Sequence, residues 1–206
     1  MLRLIEREPL AEGFHRRVYA HPDAADRLVK VMRPDVVASR WNAPGRWYKR
    51  LARARQYTGY VRELKEYIAV RARSNAPDIP IAPVHGLVDT DLGLGLVVER
   101  IRGPGGGLAP TLDARVQREG LSADILRELD ALLARLLRDG VILGDLHPWN
   151  IVWGEDAAGP RFMLIDGFGE KNVIPRCSMS QALNRHNTRR LYRRLLERVR
   201  GMAGPS

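Results

Sequence analysis

The sequence predicts an α+β chain: a small antiparallel sheet with one long helix in residues 1–101, then a short, mainly helical half in residues 102–206. Two observations carry this. Strand-like apolar segments flank a single long helical stretch in the first half, and leucines spaced by three and four dominate the second half, broken by one hairpin. In order, Arg17 to Ala20 and Arg27 to Met32 read as strands about the turn HPDAAD. Arg46 to Arg73 reads as helical with an interruption near Gly59, its apolar stripe being Val61, Leu64 and Ile68. The segment 81–101 gives two strands about a loop at 89–95, and the glycine-rich 102–110 is a loop. Ser122 is placed to N-cap a helix through Arg138, with Ile125, Leu129, Leu132, Leu133, Leu136 and Leu137 inward and Gly140 as its stop. Strands 150–153 and 162–165 then pair around the connection GEDAAGPR. The run NTRRLYRRLLERVR closes the chain as a basic amphipathic helix, with Leu191, Leu195, Leu196 and Val199 on one side.

Two short segments carry the chemistry. In GDLHPWN, residues 144–150, Asp145 and Asn150 stand five apart in a loop that Pro148 keeps out of helix. In LIDGFGE, residues 164–170, Asp166 ends an apolar run and is followed by the flexible turn Gly-Phe-Gly. If the flanking strands pair, Asn150 and Asp166 emerge at the same end of the hairpin with Asp145 just outside. A carboxylate and an amide oxygen are hard ligands suited to Mg²⁺, and Asp145 is left to orient a hydroxyl nucleophile. Taken singly, either segment is an ordinary polar turn; the two in this order are more specific.

The arrangement resembles the catalytic loop and metal-binding segment of the protein-kinase-like superfamily, and GDLHPWN is similar to the loop of aminoglycoside and choline phosphotransferases. The resemblance implies a minimal kinase-like two-lobe fold that uses ATP and Mg²⁺. Asp145 is the expected catalytic residue, and Asn150 and Asp166 are the expected metal ligands. It also implies a strand lysine paired with a helix glutamate. Lys30 is the lysine, and Glu63 is preferred to Glu66, which reads as a solvated partner of Arg62 at i,i+4. Gly13 falls in the phosphate-covering loop as its sole glycine, where Arg16 or Arg17 offers a compensating cation or a plain surface charge. Backbone groups of Glu99 and Ile101 would form the hinge that receives adenine. His147 is expected to hold the catalytic loop by hydrogen bonding. More narrowly, HRRVYAHP followed by a strand containing Lys-Val, the opening RLIEREPLAEGF and the helix segment RELKEY resemble the PhoP regulatory network proteins of the YrbL type over nearly the whole chain. That resemblance implies the same five positions, Lys30, Glu63, Asp145, Asn150 and Asp166, and no particular substrate.

Composition narrows the setting. With 206 residues, 45% hydrophobic, the chain can bury a core for one domain or two small lobes, and it has no apolar run of membrane-spanning length. No signal peptide is read in residues 1–10, and the single Cys177 forms no internal disulfide, so a cytoplasmic protein is expected. The net charge of +10 concentrates in residues 40–73 and 171–206. Those arginines are either a solvated face or a site for an anionic partner. Nucleic acid is the lesser expectation, resting on interleaved Trp41, Trp47, Tyr48, Tyr57 and Tyr60 without a recognisable motif. Only 37 residues follow Gly169, which favours a small-molecule or glycan acceptor. The functional expectation is an ATP- and Mg²⁺-dependent phosphotransferase acting on an unidentified hydroxyl acceptor in a bacterial regulatory or stress context. The alternatives are a pseudokinase-type nucleotide-binding regulator and a basic adaptor for nucleic acid or membrane.

Overall fold

Alternation of side chains builds the first sheet. In the computed structural model, which describes residues 1–37, 55–156, 159–171 and 175–202, five antiparallel strands pair in the order β1-β2-β3-β5-β4. They are β1 (Ala11–Glu12), β2 (Arg16–Ala20), β3 (Arg27–Met32), β4 (Val84–Thr90) and β5 (Gly93–Glu99). In β3, Val29 and Val31 pack with Leu4 and Tyr19 on one face, which leaves Lys30 on the other. The first strand, β1, is absent from the sequence reading because two residues carry no periodicity. The expected loop at 89–95 contracts to the turn Asp91-Leu92, since Thr90 Oγ1 accepts from Leu92 N–H at 3.1 Å and donates to Gly93 O at 2.6 Å.

Helix α1 (Thr58–Arg73) follows a 3₁₀ turn at Arg55–Tyr57. The earlier part of the expected helical stretch, with Trp47 and Tyr48, lies outside the described residues, as does Trp41. Gly59 does not interrupt the helix; it sits in the first turn, where an added Cβ would meet the Arg16 guanidinium. The apolar stripe read from the sequence is overturned as well. Val61 and Ile68 are exposed, and the inward positions are Tyr60, Glu63, Glu66 and Val70. Their spacing of three and four is helical, but two of the four are carboxylates, each drawn inward by a donor that the local sequence does not show.

The second unit is mainly helical. Thr111 caps α2 (Leu112–Glu119), a helix missed in the sequence because only Leu112 and Val116 are buried. Ser122 Oγ accepts from Ile125 N–H at 3.2 Å and caps α3 (Ala123–Arg138), and Ile125, Leu129, Leu132 and Leu136 are its buried face. Strands β6 (Ile151–Asp156) and β7 (Gly159–Leu164) form the expected hairpin, with Ile151 opposite Leu164 and Trp153 opposite Phe162. The pairing runs through most of the segment expected to be a loop. A helical turn at Arg176–Met179 precedes α4 (Gln181–Met202). Leu195 and Val199 of α4 are buried in the main core, Leu191 and Leu196 pack against it, and Arg189, Arg190, Arg193 and Arg194 are exposed.

The chain therefore has an α+β fold, with an antiparallel sheet in the first unit. The units divide at Arg100/Ile101, and Lys65–Ala82 groups with the second unit. The reason is local. Val70, Ile79 and Ile81 belong to the second core, and the segment pairs with β7 through Ala82 N–H to Leu164 O and Leu164 N–H to Pro80 O, both 2.8 Å. Among the described residues no helix is long and apolar enough to cross a membrane.

Candidate active site

In the first unit, Lys30 is only 6% exposed and Glu63 is fully buried, with Nζ 3.3 Å from Oε2. The other Glu63 oxygen is bonded to Arg16 Nη1. One carboxylate thus serves two cations, and a charged group without water needs such partners. Arg16 also lies over the Tyr60 ring at 5.0 Å, and Tyr60 Oη donates to Lys30 O at 2.8 Å. Burial pushes the Tyr60 hydroxyl well above its ordinary pKa, so it remains a donor. Lysine, glutamate, arginine and tyrosine therefore fix one another, and the lysine backbone is held along with its side chain. Gly13 begins the β1–β2 turn, its N–H donating to Arg16 O at 2.8 Å. Beside it, Glu12 is paired with Arg17 and Arg33, both at 2.9 Å. At the expected hinge, Glu99 N–H is committed to Pro83 O at 2.9 Å, and the Glu99 carboxylate meets His85 Nε2 at 2.7 Å.

The second unit joins the two motifs through their backbones. Gly144 and Asp145 N–H both donate to Gly167 O, at 2.9 and 2.8 Å, and Gly169 N–H donates to Ile142 O at 2.7 Å. Ile165 N–H donates to Asn150 O at 2.9 Å, one step beyond the Ile151–Leu164 pair. Asn150 and Asp166 consequently leave the same end of the hairpin, with Asp145 on the adjoining strand of contacts. Gly167 adopts φ +85°, and a Cβ there would lie 2.7 Å from Asp145 O and 3.1 Å from Asn150 Nδ2. Only glycine allows this approach. Gly144 is equally constrained, with an added Cβ 2.9 Å from Gly169 O.

Asp145 is held from several directions. Its Oδ1 accepts from Leu146 N–H at 2.9 Å; its Oδ2 lies 3.0 Å from His147 Nε2 and 3.5 Å from Lys171 Nζ. Arg198 Nη1 approaches His147 Nδ1 at 2.6 Å. A guanidinium can only donate, so Nδ1 accepts and the imidazole proton sits on Nε2, from which it is donated to Asp145. The His147 ring is stacked on Trp149 at 4.2 Å. Among the described residues no group of three or more His, Cys, Asp or Glu side chains is arranged to hold a metal. The donors available, one carboxylate and one amide, fit Mg²⁺, which completes its shell with water and substrate phosphate.

The sequence profile of the PhoP regulatory network protein YrbL matches residues 2–200. The chain belongs to this family. It is 28% identical over 201 residues to YrbL of Escherichia coli, and equally to YrbL of Shigella flexneri, covering 95% of this chain and 87% of each relative. Among solved structures, WbdD in a co-crystal with a kinase inhibitor aligns with a TM-score of 0.46 and 19% identity. That alignment covers 75% of this chain and 31% of WbdD.

In this YrbL-family chain the structure brings Lys30 to Glu63, and Asp145 to the Asn150 and Asp166 segments. Gly13, Glu99 and Ile101 are engaged elsewhere: Ile101 is buried against Met163, and its carbonyl accepts from Ala109 N–H at 3.0 Å. Glu66 is a correction. Expected to be solvated beside Arg62, it is 5% exposed and accepts from Ile142 N–H at 2.8 Å. Burial raises its pKa, and the bond to Ile142 opposes that rise. Arg198 and Lys171 are functional candidates that the sequence did not offer. Lys171 had one signal, its place directly after the Gly-Phe-Gly-Glu turn, whereas Arg198 is one of many arginines on α4.

Proposed function

We propose that this YrbL-family protein transfers a phosphoryl group from ATP to a hydroxyl acceptor, a small molecule or glycan, in a cytoplasmic regulatory setting. The observation that supports the reading best is the backbone union of the two motifs through Gly167 O, which holds Asp145 beside the Asn150 and Asp166 segments. In the first unit, Lys30, held by Glu63, engages the α and β phosphates. In the second, Asn150 and Asp166 hold Mg²⁺, whose contribution when bound is to neutralise charge on the phosphate oxygens. Asp145 orients the acceptor and takes its proton as the acceptor oxygen bonds to the γ phosphorus. The bond from that phosphorus to the β–γ bridging oxygen breaks, and ADP leaves. Lys171 and His147 hold the Asp145 carboxylate in its aim.

The test is the melting temperature with ATP, Mg²⁺, both or neither. A ligand at about 100 times its dissociation constant adds about 2.7 kcal/mol, so a rise that needs both, and that Asp166→Ala removes, is expected. No rise at millimolar ATP would count against the reading. Asp145→Asn should abolish transfer while leaving the ATP-induced rise intact.

A second reading, a regulator that binds nucleotide without transferring phosphate, is favoured by one observation. The turn after β1 carries a single glycine, and Glu12 places a carboxylate there in ion pairs with Arg17 and Arg33. A nucleotide-dependent melting shift with no ADP formed on any hydroxyl compound would support it.

A further inference from the structure

A cavity of about 600 Å³ opens within the second unit, where the end of α1, the end of α3, the turn Arg176–Met179 and the start of α4 meet. Small-molecule sites usually occupy about 300–1,000 Å³, so the space suits a metabolite better than a bare ion. None of Asp145, Asn150 and Asp166 lines it. Its charge is one-sided: Arg73, Arg138 and Arg185 contribute to the lining against a single acid, Asp139. Arg138 is already satisfied, forked onto Asp78 at 2.9 and 3.0 Å and onto Asp139 at 2.8 Å. Neither Arg73 nor Arg185 makes an ion pair among the described residues, Arg73 acting on the buried Glu66 carboxylate only through its charge. Ser178 and Gln181 add neutral donors, while Leu137, Ile142 and Met179 supply an apolar wall.

We propose that this cavity binds a small organic phosphate, with the phosphate held by Arg73 and Arg185 and the carbon body against Leu137, Ile142 and Met179. Two guanidiniums outside any ion pair suit a dianion, and a phosphate monoester carries about 1.5 to 2 negative charges near neutrality. A carboxylate would be satisfied by one arginine fork. The apolar wall has no use for inorganic phosphate. This inference stands apart from the phosphotransfer reading, because it requires neither metal nor any residue of the two motifs.

Cys177, the only cysteine in the chain, lines the cavity and is half-buried, so it reports on occupancy. Burial raises its thiol pKa, which makes alkylation slow enough to time at mildly alkaline pH. The experiment measures alkylation of the whole protein by iodoacetamide in EDTA, with phenyl phosphate, benzoate or inorganic phosphate as the probe. Phenyl phosphate at about ten times its dissociation constant should slow the reaction about elevenfold by mass action. Arg73→Ala combined with Arg185→Ala should remove the protection, and Arg185→Ala alone, at an exposed side chain, should weaken it without moving the melting temperature. Calorimetric titration of phenyl phosphate into the metal-free protein gives an independent reading. No heat together with no protection overturns the site, as does binding that survives the double substitution. Equal binding of benzoate overturns the dianion, and equal binding of inorganic phosphate overturns the role of the apolar wall.

Discussion

Glu63 is the residue on which the charges of the first unit converge. It is fully buried and bonded to both Lys30 and Arg16. Glu63→Gln keeps the shape but leaves two cations facing a neutral amide, so denaturant unfolding should show a loss of about 3 kcal/mol or more; a smaller change would mean that an amide oxygen suffices to hold both cations. Lys30 was legible from strand alternation, whereas the preference for Glu63 rests on its place beside Leu64 at the edge of an apolar stripe whose Val61 and Ile68 the structure turns outward. Glu66 was not legible, since its partner is a backbone N–H 76 positions away, and backbone donors leave no letter in the chain. Its titration gives a second prediction. The folded pKa lies above the unfolded one, so the native state binds more protons between the two values, and stability falls as pH rises through that window. Glu66→Gln retains an oxygen for Ile142 and removes the charge. Denaturant midpoints at about pH 4 and pH 7 should therefore show it gaining on the parent at the higher pH; a gain at the lower pH instead would contradict the burial argument. Arg198→Ala should let His147 redistribute its proton between the two ring nitrogens, read from ¹⁵N chemical shifts, whereas the parent should show Nε2–H alone.

At the level of elements, hairpins and caps were the readable part. Ser122, the alternation in β3 and the β6–β7 pair all follow from local pattern. The orientation of α1 was not readable, because its most apolar face, with Val61 and Ile68, is the exposed one. Burial there is decided by ion pairs and a backbone donor. In α4 the opposite holds: the leucine side packs as periodicity predicts, and the fully buried Leu195, changed to alanine, should cost about 2–5 kcal/mol. The junction of the two motifs depends on backbone rather than side chains. Gly167→Ala must give up the left-handed conformation, at about 1–2 kcal/mol, and must also move the Asp145 carbonyl. Backbone amide shifts of residues 144–146 should change on this substitution; unchanged shifts would show that the loop tolerates a Cβ.

At the scale of the whole molecule, family membership and element order agree, while the chemistry rests on a few side chains. The charge of +10 invites a polyanion reading, yet the α4 arginines are spread over an exposed face whose leucines are already used in the core. Binding by charge alone should collapse as salt rises from about 50 to about 200 mM. Filter binding of duplex DNA that falls steeply over that range of salt, and survives Asp166→Ala, would favour the basic adaptor.

The interleaving of the two units has a consequence for synthesis on the ribosome. The first unit can complete once Arg100 has emerged, but Val70, Ile79 and Ile81 belong to a core whose Phe162 and Leu164 are made much later. Leu164 follows Ile81 by 83 positions, which at about 5–20 residues per second is roughly 4–17 s. For those seconds three apolar side chains hang from a finished domain with nothing to cover them. The nascent chain is then most in need of a holding chaperone, and slowing translation between residues 101 and 164 should raise aggregation more than slowing it elsewhere.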